Sequence, residues 1–367
     1  MVVFAATWWG CATQSVADRR VYRVKKDCRG SPRCFDSIQN ALDALAGKAE
    51  EWVRIDVASG DYFEKVTIRT NKVHLRGERA EDTRLHFDAV ARDSGKFHRD
   101  GWGTPGSATL TIDADQVIVE NMTIENGFDY LSNDALPEGD PSKIVHSQGV
   151  ALLLDVGSDR VRVNEASIKG YQDTLFANGR RAYIQNSFIS GNVDFIFGNG
   201  QLLIEDSTIE SRRRGQRFSP QEIQSYITAP STQLAQRMGI VVHRSRLTRE
   251  EGVPDDSVTL GRPWHPTTTF ADGRYADPNA VGQASFIDCF MDTHIHDQHW
   301  SSMNGTARDG TKTDVFHPQD ARFYESGSYG PGARHVDIGI RWKEGLDMRD
   351  VYSIISMDWP EFSRRSP

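Results

Sequence analysis

The chain has 367 residues, 38% of them hydrophobic, enough to build a sizeable core. Its 43 basic and 51 acidic residues leave a formal net charge of −8 and a sequence pI near 5.8. An acidic chain without a basic face argues against nucleic acid as a partner, and no apolar run reaches the 18 residues of a membrane span.

The opening MVVFAATWWGCA is apolar, yet it has no basic n-region and is short for a secretory signal. Residues 1–27 therefore read as an N-terminal segment, a leader remnant or a trimmed piece of one. Cys11 after Gly10 is weakly similar to a lipid-anchored cysteine, with a poor fit in the residues before it. Cys28 and Cys34 flank the short turn in DCRGSPRCF. They are placed either to close a small disulfide loop or to stand as two free thiols, and metal-type CxxC spacing is absent. Cys34 to Gly47, CFDSIQNALDALAG, has apolar residues at helical spacing and a closing glycine, which predicts a short amphipathic helix.

A repeat follows. VENMTI (Val119 to Ile124), VNEASI (Val163 to Ile168), IQNSFI (Ile184 to Ile189), IEDSTI (Ile204 to Ile209), VHRSRL (Val242 to Leu247) and FIDCFM (Phe286 to Met291) share apolar first and last positions. Their final residues are spaced by 44, 21, 20, 38 and 44. That is one coil of roughly 20 residues, two coils, or one coil with a long loop, as in a parallel β-helix. A sandwich of alternating strands is the alternative, but it does not require one phase across six segments. The repeat runs from about residue 55 to 300 without a linker, so residues 28–367 read as one domain. The helix from Cys34 would cover one end, and a weaker helical pattern from Arg341 to Trp359 would cap the other, since an open solenoid end invites pairing with other chains. Polar loops at Asp88 to Gly106, Asp129 to Ser147, Arg212 to Gln224 and Thr248 to Asp277 would wall a groove.

Within the repeat, Asp173 (GYQDTLF) lies five residues after Ile168, and Asp194 (GNVDFIFG) five after Ile189. Adjacent coils lie about 4.7–4.9 Å apart. Two carboxylates so placed split their pKa values, leaving one as an acid and one as a charged nucleophile or base. A single aspartate at a strand-to-loop position is usually a turn residue; two in matching phase point to chemistry. Arg214 falls five residues after Ile209, in the same phase, and either extends this face with positive charge or belongs to a solvated Arg212–Arg213–Arg214 cluster. Asn121 (NMT) and Asn304 (NGT) fit the glycosylation pattern. Asn121 is expected inside a strand, which leaves Asn304 as the better sugar site.

SQGVALLL, GYQDTLF, GNVDFIFG and LGRPWHPTTTF, in that order, resemble the pectin methylesterases. GDYFEKVTI, VHLRGE, SYITAPST and GRYADPNAVGQ extend the resemblance, the last toward bacterial-type members, over roughly residues 30 to 330. It implies a right-handed parallel β-helix and hydrolysis of galacturonate methyl esters, with no metal or other cofactor. It also implies a secreted, monomeric enzyme whose partner is pectin, the methyl-esterified homogalacturonan.

Under that resemblance, Asp194 is the expected nucleophile, attacking the ester carbonyl to form an anhydride. Arg262 would keep it charged and oriented. Asp173 would protonate departing methanol and then activate water. Gln172 and Gln148 would donate to the tetrahedral oxyanion; Gly149 stands where many members have Ala. Trp264 is expected to stack on sugar, Thr109 matches a substrate-contact position, and Met303 lies in a loop comparable to one that lines the groove. Phe176, Phe197 and Tyr226 are candidates for its wall or for plain packing. Two other functions compete. A polygalacturonase on the same scaffold would pair aspartates for glycoside cleavage, but Arg and Gln partners favour acyl transfer. A non-catalytic pectin-binding solenoid would need Trp264 but not the Asp pair, Arg262 and both glutamines.

Overall fold

The computed structural model describes residues 21–28, 31–45, 51–93, 103–219, 222–334, 336–341, 345–359 and 362. They wind into a parallel β-helix of three sheets with eleven, eight and seven strands. One coil runs Arg181–Gln185, Phe188–Gly191 and Val193–Gly198, contributing one strand to each sheet before Gln201–Glu205 begins the next. The expected repeat is this geometry. Ile124, Ile168, Ile189, Ile209, Leu247 and Met291 are successive register partners in the eight-stranded sheet. Val119, Val163, Ile184, Ile204, Val242 and Phe286 are successive partners in the eleven-stranded one. All twelve are fully buried, each contributing roughly 1.5–3 kcal/mol through burial.

Each hexapeptide therefore turns a corner between two sheets, and its third residue makes the turn. Asn121, Glu165, Asn186, Asp206, Arg244 and Asp288 have φ of 56°, 50°, 48°, 51°, 46° and 53°. Among residues with a side chain, Asn and Asp tolerate this left-handed conformation best. Asn121 is thus a half-buried corner residue, not the strand-interior asparagine expected from the sequence. The fourth position explains the small residues. Ser207 Oγ accepts from Ser187 N at 3.1 Å, and Ser245 Oγ accepts from Ser207 N at 3.2 Å. Serines thereby stitch successive corners where the backbone ladder is broken.

The N-terminal helix is shorter than expected, Ile38–Asp43, with Ser37 capping it by accepting from Asn40 N. Gly47 lies outside the described residues. Cys34–Phe35 is a strand instead, pairing with Val21–Val24, which in turn pairs with Val53–Val57. Val21–Val24 thus belongs to the solenoid, although the sequence placed it in the segment 1–27; residues 1–20, Cys11 among them, lie outside the described residues. Cys28 and Cys34 form a disulfide. Ile38, Ala41, Leu42 and Leu45 close the core from above. The C-terminal helix, Met348–Ser356, does not cap the far end as expected. Its Val351 and Ile355 pack sideways on Tyr183, Leu203, Val241 and Ile287, on the outer face of the eleven-stranded sheet.

Candidate active site

The active face is built where the eight-stranded sheet hands over to the seven-stranded one. Asp173 sits in the turn after Ser167–Lys169, and Asp194 enters the strand Val193–Gly198 one coil on. Asp173 N donates to Val193 O at 3.1 Å, which fixes the two coils against each other here. Both aspartates have positive φ, 65° and 52°. Beside Asp194 the pairing with Ser225–Pro230 shifts between Val193 and Ile196, a local irregularity that re-aims a side chain. Asp194 is thereby turned out of the ladder while only 7% exposed.

Arg262 follows the strand Val258–Gly261 and is held by its own N–H on Thr228 O at 3.0 Å. Its Nε donates to Asp194 Oδ1 at 2.8 Å and its Nη2 to Oδ2 at 2.6 Å. This two-pronged pairing fixes the plane of the carboxylate as well as its charge. The guanidinium lies 3.7 Å from the centre of the half-buried Tyr226 ring, which supports it from one side. Burial disfavours the Arg262 charge, but Asp194 outweighs it and raises the Arg262 pKa. Asp173 is treated oppositely. Burial, then the Asp194 charge, push its pKa well above the ordinary carboxylate range, against a smaller pull from Arg262. One carboxylate has a cation in contact; the other is biased toward its proton.

The two glutamines are carried on adjacent coils next to this pair's turn. Gly149 N donates to Gln172 O at 3.2 Å, bringing residues 148 and 172 alongside. Gln172 lines a small pocket with Asn126, Phe128, Tyr130, Ser147, Gly149 and Tyr171. Gln148 Oε1 is buried without a hydrogen-bond partner, so that oxygen is not committed to the fold. The Gly at 149 has a steric cause: a Cβ there would stand 2.6 Å from Asn126 Oδ1. The side chain of Asn126 is itself tied to Ala89 O at 2.9 Å.

The sequence profile of the family described as Pectinesterase matches residues 23–343. The chain belongs to the pectinesterase family. Pectinesterase A of Dickeya dadantii is 42% identical over 304 residues, which is 82% of this chain and 81% of that protein. A crystal structure of a pectin methylesterase in complex with a hexasaccharide superposes with a TM-score of 0.82 at 38% identity, over 94% of this chain and 98% of the other. The pectin methylesterase from Yersinia enterocolitica gives 0.79 at 40% identity, over 90% and 100%. The chain is accordingly a carboxylic ester hydrolase.

The remaining expected pectinesterase residues divide. Phe176 and Phe197 stack at 4.2 Å between ring centres, almost buried, and Trp264 meets them edge-on at 6.3 and 5.7 Å. The two phenylalanines are a floor and the half-buried Trp264 stands on it. Met303 is half-buried in the strand Met303–Gly305, just after Trp300, which bridges to Gly261. Thr109 does not reach a groove: it is fully buried and its hydroxyl donates to Glu125 O at 2.9 Å. Arg214 is not a free cation. Asp134 takes its Nε and Nη2, both at 2.9 Å, and also the N–H groups of Gly215 and Gln216. No sequence signal marks Asp134 as the partner across 80 residues. Tyr130, which lines the pocket with Gln172, and Arg212, which holds Tyr171, carry no sequence signal beyond the arginine run.

Proposed function

We propose that this chain hydrolyses the methyl esters of methyl-esterified homogalacturonan through an acyl-enzyme on Asp194. The observation that carries this reading is the two-pronged Arg262–Asp194 contact next to an Asp173 that burial and Asp194 bias toward protonation. An Asp194 oxygen attacks the ester carbonyl carbon, and the carbonyl electrons move onto oxygen. The amide N–H groups of Gln172 and Gln148 serve as neutral donors to that oxyanion. As the intermediate collapses, the bond to methoxide breaks and Asp173 supplies its proton, giving methanol and a mixed anhydride. Asp173, now a carboxylate, takes a proton from water as the water attacks the anhydride. Asp194 leaves as a carboxylate, the galacturonate carboxyl is freed and Asp173 is again protonated. Trp264, standing on the Phe176–Phe197 floor, offers the sugar a ring face. Action outside the cell fits a polymeric substrate and the Cys28–Cys34 disulfide.

The test is methanol release from highly methylated pectin by native enzyme and Asp194→Ala. The variant is expected to lose nearly all turnover; because it leaves the buried Arg262 without its carboxylate, the isosteric Asp194→Asn and a far-UV circular dichroism spectrum separate lost chemistry from lost fold. Retention of more than about a tenth of the native rate would overturn the nucleophile assignment, since loss of a covalent step costs far more than the 10²–10⁴ of a general acid.

A further inference from the structure

Tyr171 and Gly170 immediately precede Gln172 and Asp173, and the next coil reaches back to hold them. Arg212 leaves the strand Thr208–Ser211 and donates from Nη1 to Gly170 O at 3.0 Å and from Nη2 to the Tyr171 hydroxyl at 2.6 Å. Its guanidinium lies 3.7 Å from the centre of the Tyr171 ring. The Tyr171 ring also stacks on Tyr130, at 5.1 Å and 11° between planes. Tyr130 is 4% exposed. The backbone of the turn is tied as closely: Gly170 N donates to Ser190 O, Asn192 N to Tyr171 O, Gly149 N to Gln172 O and Asp173 N to Val193 O. Thr174 Oγ1 donates to Tyr171 O at 3.1 Å, in space a Cβ on Gly170 would enter at 2.7 Å. The turn ends in the left-handed Asp173, a conformation that persists only where its surroundings hold it.

We infer that Arg212 is a positioning residue for the acid–base turn, clamping Tyr171 and Gly170 so that Gln172 and Asp173 stay in register with Asp194. This rests on the reading of Asp173 as the acid and base. Arg212 touches no reacting atom. It acts through one ring and one carbonyl, and a lysine cannot satisfy both while lying flat on the ring. The charged groups around the clamp are Glu250, 3.9 Å from Arg212, with Glu210 and Arg213 beside it. Asp173 itself faces Asp194 and Arg262, and Tyr130 faces Asp173 together with Asp134 and Arg214.

The experiment measures kcat and KM for methanol release across pH for native enzyme, Arg212→Ala, Arg212→Lys, Tyr171→Phe and Arg213→Ala. Arg212→Ala is expected to lower kcat by about 10–100-fold, the scale of an ångström of misplacement, with KM within about threefold of native. Its basic limb should move to lower pH as water reaches Asp173. Arg212→Lys should fall between the two, and Tyr171→Phe should lose several-fold in kcat with the same direction of limb shift. Arg213→Ala removes a neighbouring charge without touching the turn and should behave as native. A native kcat and an unmoved limb in Arg212→Ala would overturn the clamp, as would an equal loss in Arg213→Ala. Should Arg212→Ala not fold, Tyr171→Phe decides in the same way. No methanol from native enzyme, or native turnover in Asp173→Asn, would instead overturn the reading of the site.

Discussion

Glu205 ties the C-terminal helix to the solenoid, and its loss should be felt only above acidic pH. Its carboxylate is buried on the outer face of the eleven-stranded sheet, with 3% of its side chain exposed. Tyr183 donates its hydroxyl to Oε2 at 2.7 Å, His243 Nδ1 lies 2.8 Å from Oε1, Arg244 Nη1 lies 3.2 Å away, and Tyr352 from the helix donates to Oε1. Burial raises the Glu205 pKa, but these partners outweigh it and hold the pKa down at about 2, against an ordinary 4.5. A depressed carboxylate pKa stabilises the fold above the unfolded value and loses that contribution as pH falls toward the folded one. The difference of about 2.5 units is worth on the order of 3 kcal/mol at 1.36 kcal/mol per unit. Glu205→Gln should therefore cost about that much at pH 7, and the gap between variant and native should narrow from pH 5 down to pH 2. The assay is urea unfolding of both proteins at several pH values, with amide exchange over Met348–Ser356 as the local readout. Since Tyr352 is the helix's own link, exchange there should rise more than in the central coils. A gap that stays constant from pH 7 to pH 3 would refute the reasoning, because it would show that the carboxylate's charge contributes nothing.

Two further outcomes follow from the active face. Arg262→Lys should fail to rescue Arg262→Ala in methanol release, since a point charge cannot hold both Asp194 oxygens as the guanidinium does at 2.8 and 2.6 Å; near-native turnover in the lysine variant would reduce Arg262 to general positive potential. Asp173→Asn should lose two or more orders of magnitude in turnover and yet raise stability at pH 7. The raised Asp173 pKa means that the native fold loses stability as pH climbs from the ordinary carboxylate value through the folded one, and the amide removes that loss. Chemical denaturation of both proteins at pH 4 and pH 7 checks the sign, and equal stability changes at both would contradict it.

The sequence alone determined the coil and the phase of its chemistry. Burial inside a solenoid demands an apolar residue at the same two points of every coil, so Val119 to Phe286 and Ile124 to Met291 were legible as a repeat before any ladder was seen. The same regularity placed Asp173 and Asp194 on one face, because a fixed offset from a register residue is a fixed place on the surface. GYQD, GNVDFIFG and GRPW carried their identities locally. Tertiary structure decided which charges are spent on one another. Arg214 shares the phase of Asp173 and Asp194, but Asp134, 80 residues away, takes its guanidinium, and no local pattern encodes a partner brought by a different loop. Thr109, expected from the resemblance to touch substrate, is instead fully buried with its hydroxyl donating to Glu125 O, a contact with a separate strand that its own motif does not encode. The C-terminal helix carried an amphipathic pattern that says one side is buried, not against what; its docking on the flank at Tyr183, Leu203 and Val241 depends on side chains from three coils. Arg212 belongs to the same class: its reach back to Gly170 and Tyr171 exists only once adjacent coils are stacked.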